Sequence, residues 1–154
     1  MMDNCVNSIK QCLKLLKVKF SSSFVADHVL SHPHHPSLLS ITDTLEKYKI
    51  DTLALKTDPK RLMTLPMPAI LQVSKDKQEF FYVIEQVDTS NIVYYNKTNK
   101  KVIEKTKEFL KQWTGVCLLV QVNKDSKELG VTKKTARSLV AIGKNLRSFN
   151  VSPF

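Results

Sequence analysis

The hydrophobic pattern of the chain changes its period once, close to residue 50, and this change limits the fold more than any other feature. Before it, five apolar residues recur at the spacing of one helix face: Cys5, Ile9, Cys12, Leu13 and Leu16. After it come short strand-like runs at residues 52–55, 69–73, 80–87, 91–95 and 116–122. Helices followed by short strands predict an α+β fold, with N-terminal helices packed on a mostly antiparallel sheet.

Three more helices and a hairpin complete the predicted elements. One helix covers residues 24–30, and another begins at Pro36, because a proline loses no hydrogen bond in the first turn of a helix. A third is indicated by the helical spacing of Val102, Thr106, Phe109 and Trp113, with Gly115 at its end. The segment 88–90, Asp-Thr-Ser, predicts a hairpin between two strands.

Positive charge is concentrated toward the C-terminus. The chain has 24 Lys and Arg against 14 Asp and Glu, a net charge of +10, and residues 123–154 hold seven basic residues against two acidic ones. This asymmetry predicts a body over residues 1–122 and a basic, partly helical C-terminal segment or membrane-proximal linker over 123–154. The cations expected to face an anionic membrane surface are Lys133, Lys134, Arg137, Lys144 and Arg147.

The cysteines and the apolar runs bear on the compartment. Three cysteines cannot all pair with one another, and their spacing fits neither a zinc ribbon nor a secreted disulfide scaffold. Cys12 and Cys117 fall on apolar faces and are expected to be inert core residues. The first residues lack the pattern of a secretory signal, and the run at 116–122 is far shorter than the ~20 residues that span a bilayer. We therefore expect a cytoplasmic location, with the inner face of the membrane as a second option.

Several short motifs, taken in order, resemble one peptidase family. They read HPSLLSITDTL at 35–45, LPMPAIL at 65–71 and FLKQWTGV at 109–116. Over residues 5–122 the chain resembles the bacteriocin-processing cysteine peptidases that act on double-glycine leaders. That family has a papain-like fold and stands at the N-terminus of peptide-exporting ABC transporters. The nearest look-alike is a degenerate branch fused to membrane redox domains of the vitamin K epoxide reductase type.

The resemblance assigns Cys5 to the place of the catalytic nucleophile. In the family a cysteine opens the first helix, where the positive end of the helix dipole favours a thiolate. Here Val6 replaces the glycine that follows that cysteine. The glutamine that helps to form the oxyanion hole precedes the cysteine by several residues in the family, and only four residues stand before Cys5.

The other two catalytic positions of the family carry residues without acid–base chemistry. Phe80 stands where the resemblance places the histidine, and Asn96 stands where it places the aspartate. A phenylalanine can neither accept the thiol proton nor protonate the leaving amine. This pattern predicts an inactive domain that binds a leader or cargo polypeptide in a groove beside the first helix and the strand from Phe80. The residues expected to contact the peptide are Val6, Ile9, Phe81, Tyr82 and Tyr94.

Two other functions fit parts of the sequence. One is an active cysteine peptidase that cleaves double-glycine leaders with Cys5 as its nucleophile. The other is non-specific nucleic-acid binding, which only the net charge suggests and for which the sequence offers no recognition motif. Partners implied by the resemblance are the transmembrane or ATPase segments of an exporter, or a membrane redox domain.

All four histidines lie close together in the sequence, at His28, His32, His34 and His35. Three of them could chelate a borderline ion such as zinc. No cysteine or acidic motif stands beside them in the sequence to complete a ligand set, and Pro33 and Pro36 indicate a polar turn between two helices. We therefore predict no metal site and no cofactor.

Overall fold

A six-stranded antiparallel sheet organises the part of the chain, residues 3–128, that the computed structural model describes. The strands are β1 (Asp51–Lys56), β2 (Ala69–Lys75), β3 (Gln78–Val87), β4 (Asn91–Tyr95), β5 (Lys101–Lys105) and β6 (Trp113–Gln121). The helices are α1 (Asn4–Leu16), α2 (Ser22–Leu30), α3 (Leu38–Glu46), α4 (Pro59–Leu62) and α5 (Thr106–Phe109). The strand order β1-β6-β2-β3-β4-β5 places the last strand inside the sheet, between β1 and β2.

The first helix has the ends that its sequence predicts. Its N-cap is Asp3, whose Oδ1 accepts a hydrogen bond from the Val6 amide at 3.0 Å. This bond satisfies one of the amides that have no partner within the helix. The C-cap of the helix is Lys17, which takes the left-handed conformation (φ 61°). Its amide donates hydrogen bonds to carbonyls of the last turn.

The third helix begins two residues later than predicted, and Pro36 lies outside it. Ser37 is the N-cap, and its Oγ accepts from the amide of Ser40 while Ser40 Oγ accepts from the amide of Ser37. This reciprocal pair satisfies two donors at once, which a proline cannot do. The capping box therefore decides where α3 starts.

The sheet separates two hydrophobic cores, because side chains alternate between its faces. α1, α2 and α3 cover one face, and the first core lies between them and residues such as Phe81 and Val83. The second core lies on the opposite face, where Leu62 of α4 and Phe109 of α5 meet Tyr82. The expected α+β arrangement of N-terminal helices on an antiparallel sheet is confirmed.

The helix predicted from Val102 to Trp113 is wrong for most of its length. Residues 101–105 form β5, which pairs with β4 from Tyr95↔Lys101 to Asn91↔Lys105, and only one helical turn follows it. Gly115 does not end a helix but lies inside β6, at φ +93°. The helix-like spacing of four residues came from a strand and a short turn in succession.

Residues 123–128 pack back onto the body through backbone and side-chain hydrogen bonds. The Lys127 amide donates to the Tyr48 carbonyl at 2.8 Å, and Tyr48 Oη donates to Glu128 Oε1 at 2.9 Å. The domain boundary at residue 122 stays a prediction, and the basic cations predicted from Lys133 onward lie outside the described residues. None of the helices within 3–128 has both the length and the apolarity to cross a membrane.

Candidate functional site

Cys5 lies in the first turn of α1 and is almost fully enclosed, with 1% of its surface exposed. Burial, and next the neighbouring Asp3 carboxylate, raise the pKa of the Cys5 thiol to about 11. Hydrogen bonding to the Ser40 side chain and the Ser37 backbone acts in the opposite direction but is the smaller effect. The helix dipole, from which the sequence led us to expect a thiolate, is therefore outweighed, and Cys5 is a neutral thiol at pH 7.

Phe80, predicted to replace the catalytic histidine, lies on the far side of the sheet from Cys5. Its ring packs with the second core, 6.4 Å from the ring of Tyr82, and the Lys97 ammonium lies 4.8 Å from its centroid. Alternation along β3 makes Phe81 the residue that joins Cys5 in the first core. Whether Phe80 or Phe81 is compared with the family histidine, the residue on this strand is a phenylalanine and not an imidazole.

Asn96, predicted to replace the catalytic aspartate, closes the turn between β4 and β5. Its Oδ1 accepts from the Thr98 amide, the Thr98 hydroxyl and the Lys100 amide, at 3.0, 2.9 and 3.0 Å. A side-chain oxygen that gathers local donors in this way forms an Asx turn. The structure therefore gives Asn96 a local role in the chain reversal.

Two asparagines of α1 fasten the start of the helix to the sheet. Asn4 binds the Phe81 backbone twice, donating from Nδ2 to its carbonyl at 3.0 Å and accepting at Oδ1 from its amide at 2.6 Å. One turn further on, the buried Asn7 donates from Nδ2 to the Lys97 carbonyl at 3.0 Å. The sequence did not indicate these contacts, because an asparagine near a helix start also predicts a simple cap.

His35 and Asp3, 32 residues apart in the chain, meet above Cys5. The His35 Nε2 atom lies 2.7 Å from Asp3 Oδ2, and their side chains are 19% and 27% exposed. One ligand atom from each of Asp3, Cys5 and His35 lies within 4.8 Å of the other two. The three residues, which we call the Asp3–Cys5–His35 cluster, offer a carboxylate, a thiol and an imidazole at one point. In the sequence His35 is grouped with His32 and His34, whereas the structure brings it to Asp3 and Cys5.

The other histidines do not join this cluster. His32 Nε2 lies 2.7 Å from Asp43 Oδ2, and His28 Nδ1 lies 2.9 Å from the Phe24 carbonyl. His34 is exposed. Within residues 3–128, the sequence neighbours His32, His34 and His35 do not bring three ligand atoms together.

The five residues predicted to contact a peptide are buried, with exposures between 0% and 6%: Val6, Ile9, Phe81, Tyr82 and Tyr94. The first three belong to the first core and the last two to the second. Residues so placed hold helix and strand together. Their role in peptide binding stays a prediction.

An open groove of about 600 Å³ lies between the start of α3 and the β2–β3 hairpin. Leu38 lines it on the helix side, and Phe80 and Phe81 line it on the strand side. Pro36 and Ser37, which directly follow His35 in the chain, are also part of its wall. The groove therefore borders the Asp3–Cys5–His35 cluster, and its surface combines apolar and polar groups.

Solved structures with the same fold include peptidase domains of transporters. The peptidase domain of Streptococcus ComA, a bifunctional ABC transporter involved in quorum sensing, is 17% identical, with a TM-score of 0.68 over 79% of this chain and 92% of that one. A double-glycine-motif protease from an AMS/PCAT transporter, solved with its leader peptide, is 16% identical, with a TM-score of 0.69 over 79% and 85%. The N-terminal peptidase-like domain of a toxin-secretion ATP-binding protein from Vibrio parahaemolyticus is 16% identical, with a TM-score of 0.63 over 80% and 99%.

At this level of identity the likenesses establish the fold, and they confirm the expected papain-like peptidase architecture. No curated protein matches the chain by sequence. The model of the peptidase C39 family matches residues 2–125, which is well over half of the chain. The chain therefore belongs to the peptidase C39 family, as its motifs led us to expect.

Proposed function

We propose that this chain is a catalytically inactive peptidase-like domain that binds a polypeptide, either a leader or a cargo, during peptide export or maturation. The observation that carries the proposal is the contact between α1 and the sheet. Asn4 binds the Phe81 backbone of β3 and Asn7 binds the Lys97 carbonyl in the turn between β4 and β5, so hydrogen bonds fix the helix start to the sheet. The β3 residue that joins Cys5 in the first core is Phe81, which cannot act as a base.

The chemistry of the site supports the same conclusion. A cysteine peptidase needs a base within hydrogen-bond reach of its thiol and a third group that orients the base. Here β3 offers Phe80 and Phe81, and Cys5 is a buried, neutral thiol. A thiol in an enclosed site of this kind is a poor nucleophile. What the fold retains is a scaffold with a groove beside the former reaction centre.

We place the bound peptide in the groove between α3 and the β2–β3 hairpin. Leu38 and Phe81 give it an apolar wall, and Lys77 and Glu79 give it charges of both signs. The protease from the AMS/PCAT transporter is described in complex with a leader peptide, which makes a leader the first ligand to test. Of the residues predicted to contact the peptide, Phe81 lines this groove, and the others would act by supporting it from the two cores.

The same proposal extends to partners and location. A peptide-binding domain of this family would work beside the transmembrane and ATPase segments of an exporter, or beside a membrane redox domain, in the cytoplasm. The basic residues Lys133, Lys134, Arg137, Lys144 and Arg147 would then meet the anionic inner face of the membrane.

Calorimetric titration with double-glycine leader peptides from neighbouring reading frames tests the binding function. We expect saturable binding that Leu38→Ala weakens about tenfold, a loss of about 1.4 kcal/mol of binding free energy. Leu39→Ala is the matched control, because Leu39 is exposed and does not line the groove. Absence of saturable binding by every leader and cargo peptide tested would refute the proposal.

A second function, a working peptidase, has one observation in its favour, namely that His35 and Asp3 lie beside Cys5. In that case His35 would serve as the base and Asp3 would orient it. Incubation of the reduced protein with a double-glycine precursor, followed by mass spectrometry, separates the two functions. Cleavage after the glycine pair that Cys5→Ala and His35→Ala both abolish would establish the peptidase.

A further inference from the structure

The Asp3–Cys5–His35 cluster has the donor set of a transition-metal site. It joins a carboxylate oxygen, a sulfur and an imidazole nitrogen from the first turn of α1 and from the loop before α3, all within 4.8 Å of one another. We propose that these three residues bind a divalent transition-metal ion of borderline softness, with Zn²⁺ the best match. This inference concerns a site that the peptide-binding function does not require.

The donors fit zinc in type and nearly fit it in distance. Zinc takes cysteine sulfur at about 2.3 Å and histidine nitrogen or carboxylate oxygen at about 2.1 Å, in a tetrahedron. Ligand atoms of such a tetrahedron are about 3.5 Å apart. The cluster lies within about 1.3 Å of that spacing, because its widest separation is at most 4.8 Å and the His35–Asp3 pair is at 2.7 Å. Sulfur and imidazole together disfavour Mg²⁺ and Ca²⁺, which prefer oxygen ligands.

Asp3 can contribute a ligand without giving up its structural role. Its Oδ1 accepts from the Val6 amide and caps α1, whereas its Oδ2 points to His35. An ion inserted between Oδ2 and the imidazole would replace that contact and leave the cap intact. Ser40, whose side chain favours the ionised form of the Cys5 thiol, would support the sulfur, as groups around metal ligands commonly do.

The placement of the thiol favours a metal ligand over a nucleophile. Cys5 is 1% exposed, so the carbonyl carbon of a peptide cannot reach its sulfur without displacement of the neighbouring residues. A metal ion is small enough to enter between Asp3 and His35, whose side chains are 27% and 19% exposed. Binding replaces the proton of the thiol, which passes to solvent, and the resulting thiolate and carboxylate neutralise the charge of the ion.

A bound ion would tie the start of α1 to the loop before α3, at the edge of the groove. Three protein ligands leave a fourth position for water or for a group of a bound peptide. The ion would therefore stabilise the helical layer of the fold and would add one electrophilic coordination position near Leu38 and Ser37, which line the groove.

Titration of the reduced full-length protein with Co²⁺, a spectroscopic substitute for Zn²⁺, tests the proposal. We expect one equivalent to bind, with a thiolate-to-cobalt charge-transfer band and the visible bands of a tetrahedral ion, and we expect Zn²⁺ to displace it and to raise Tm. Cys5→Ala should abolish the charge-transfer band. Asp3→Asn should weaken binding at least tenfold while keeping the cap, since asparagine caps helices about as well as aspartate.

His34→Ala is the matched control, because His34 is exposed and outside the cluster, and it should bind Co²⁺ like the parent protein. The proposal is overturned if Co²⁺ binds without a charge-transfer band, or if binding survives Cys5→Ala and is lost in His34→Ala. It is also overturned if neither Co²⁺ nor Zn²⁺ binds at micromolar concentration, or if the metal-free protein cleaves peptides through Cys5.

Discussion

At the scale of single residues, the polar side chains at the start of α1 make two kinds of contact, one with the sheet and one with the loop before α3. Asn4 and Asn7 face the strands and bind backbone groups, while Asp3 and Cys5 face His35. Cys5, which the resemblance assigns to the nucleophile position, is therefore surrounded by polar contacts on both sides. Two changes that separate stability from reactivity can test this description.

Replacing Asn4 with alanine should destabilise the fold strongly for a single polar residue. Its side chain supplies both a donor and an acceptor to the Phe81 backbone, at 3.0 and 2.6 Å, and their loss leaves two partly buried backbone groups unsatisfied. We expect a loss of about 2 kcal/mol in the free energy of unfolding, measured in urea at unchanged m value. Asn91→Ala, at the exposed start of β4, is the control and should change stability by less than about 0.5 kcal/mol.

The thiol of Cys5 should resist alkylation in the native protein. With a pKa raised to about 11, mainly by burial, roughly one thiol in a thousand is ionised at pH 8, and the sulfur is also sheltered from the reagent. Mass spectrometry after iodoacetamide treatment should find no rapid adduct at pH 8 and three adducts in guanidinium. Asp3→Asn should speed the reaction, because the Asp3 carboxylate opposes ionisation of the thiol. Rapid modification of native Cys5 would contradict this account.

At the scale of elements, sequence periodicity identified most of the fold and failed where two short elements follow each other. The helices before residue 50 and the strands β1 to β4 were found because each has a single, uninterrupted period. Val102 and Phe109 have helical spacing, yet one lies in β5 and the other in α5, because the free edge of β4 recruits residues 101–105 as a strand. Periodicity within one segment does not reveal that the segment pairs with a neighbouring strand, as β5 does with β4.

In the candidate site, too, the sequence indicates features carried by neighbouring residues but not contacts between residues that are far apart in the chain. The motifs identified the family, because they are carried by neighbouring residues, and the role they give to Cys5 stays a prediction. The contacts of Cys5 with Asp3 and His35 depend on how the loop before α3 returns to α1, over 32 residues. Likewise, the alternation that directs Phe80 away from Cys5 depends on which face of β3 the helices cover.

Gly115 offers a test of the irregular start of β6. Its φ of +93° is a conformation that side chains rarely adopt, and a Cβ there would lie 3.2 Å from the Thr57 carbonyl oxygen. We expect Gly115→Ala to lower the free energy of unfolding by about 1–3 kcal/mol, through backbone strain more than through contact. Thr114→Ala, which removes a hydroxyl bonded to Gln72 but leaves the backbone free, should lose only about 1 kcal/mol. Equal losses in urea unfolding would show that φ does not limit this position.

At the scale of the whole molecule, the two cores share one sheet, and the segment after β6 closes the helical side. Tyr48 is fully buried in the first core, and burial followed by its hydrogen bond to Glu128 raises its pKa above the ordinary tyrosine value. Glu128 also accepts from the Ser21 amide at 2.7 Å, and so connects α2 and α3. Residues 123–128 are therefore hydrogen bonded to the body, and the boundary that the charge pattern places at 122 stays a prediction.

A comparison of two shortened chains measures what this closing segment contributes. A chain that ends at residue 128 keeps the bonds from Lys127 to the Tyr48 carbonyl and from Ser126 to the Lys49 carbonyl, both at 2.8 Å, and a chain that ends at 122 loses them together with Glu128. Since these two bonds and the two that Glu128 accepts, from Ser21 and Tyr48, contribute about 1 kcal/mol each, the shorter chain should be less stable by about 4 kcal/mol. Urea unfolding followed by circular dichroism gives the difference directly. If the two chains unfold at the same urea concentration, residues 123–128 do not contribute to stability. If they differ as expected, Glu128→Ala in the longer chain should reproduce about half of the loss, because Ser21 and Tyr48 both donate to that carboxylate.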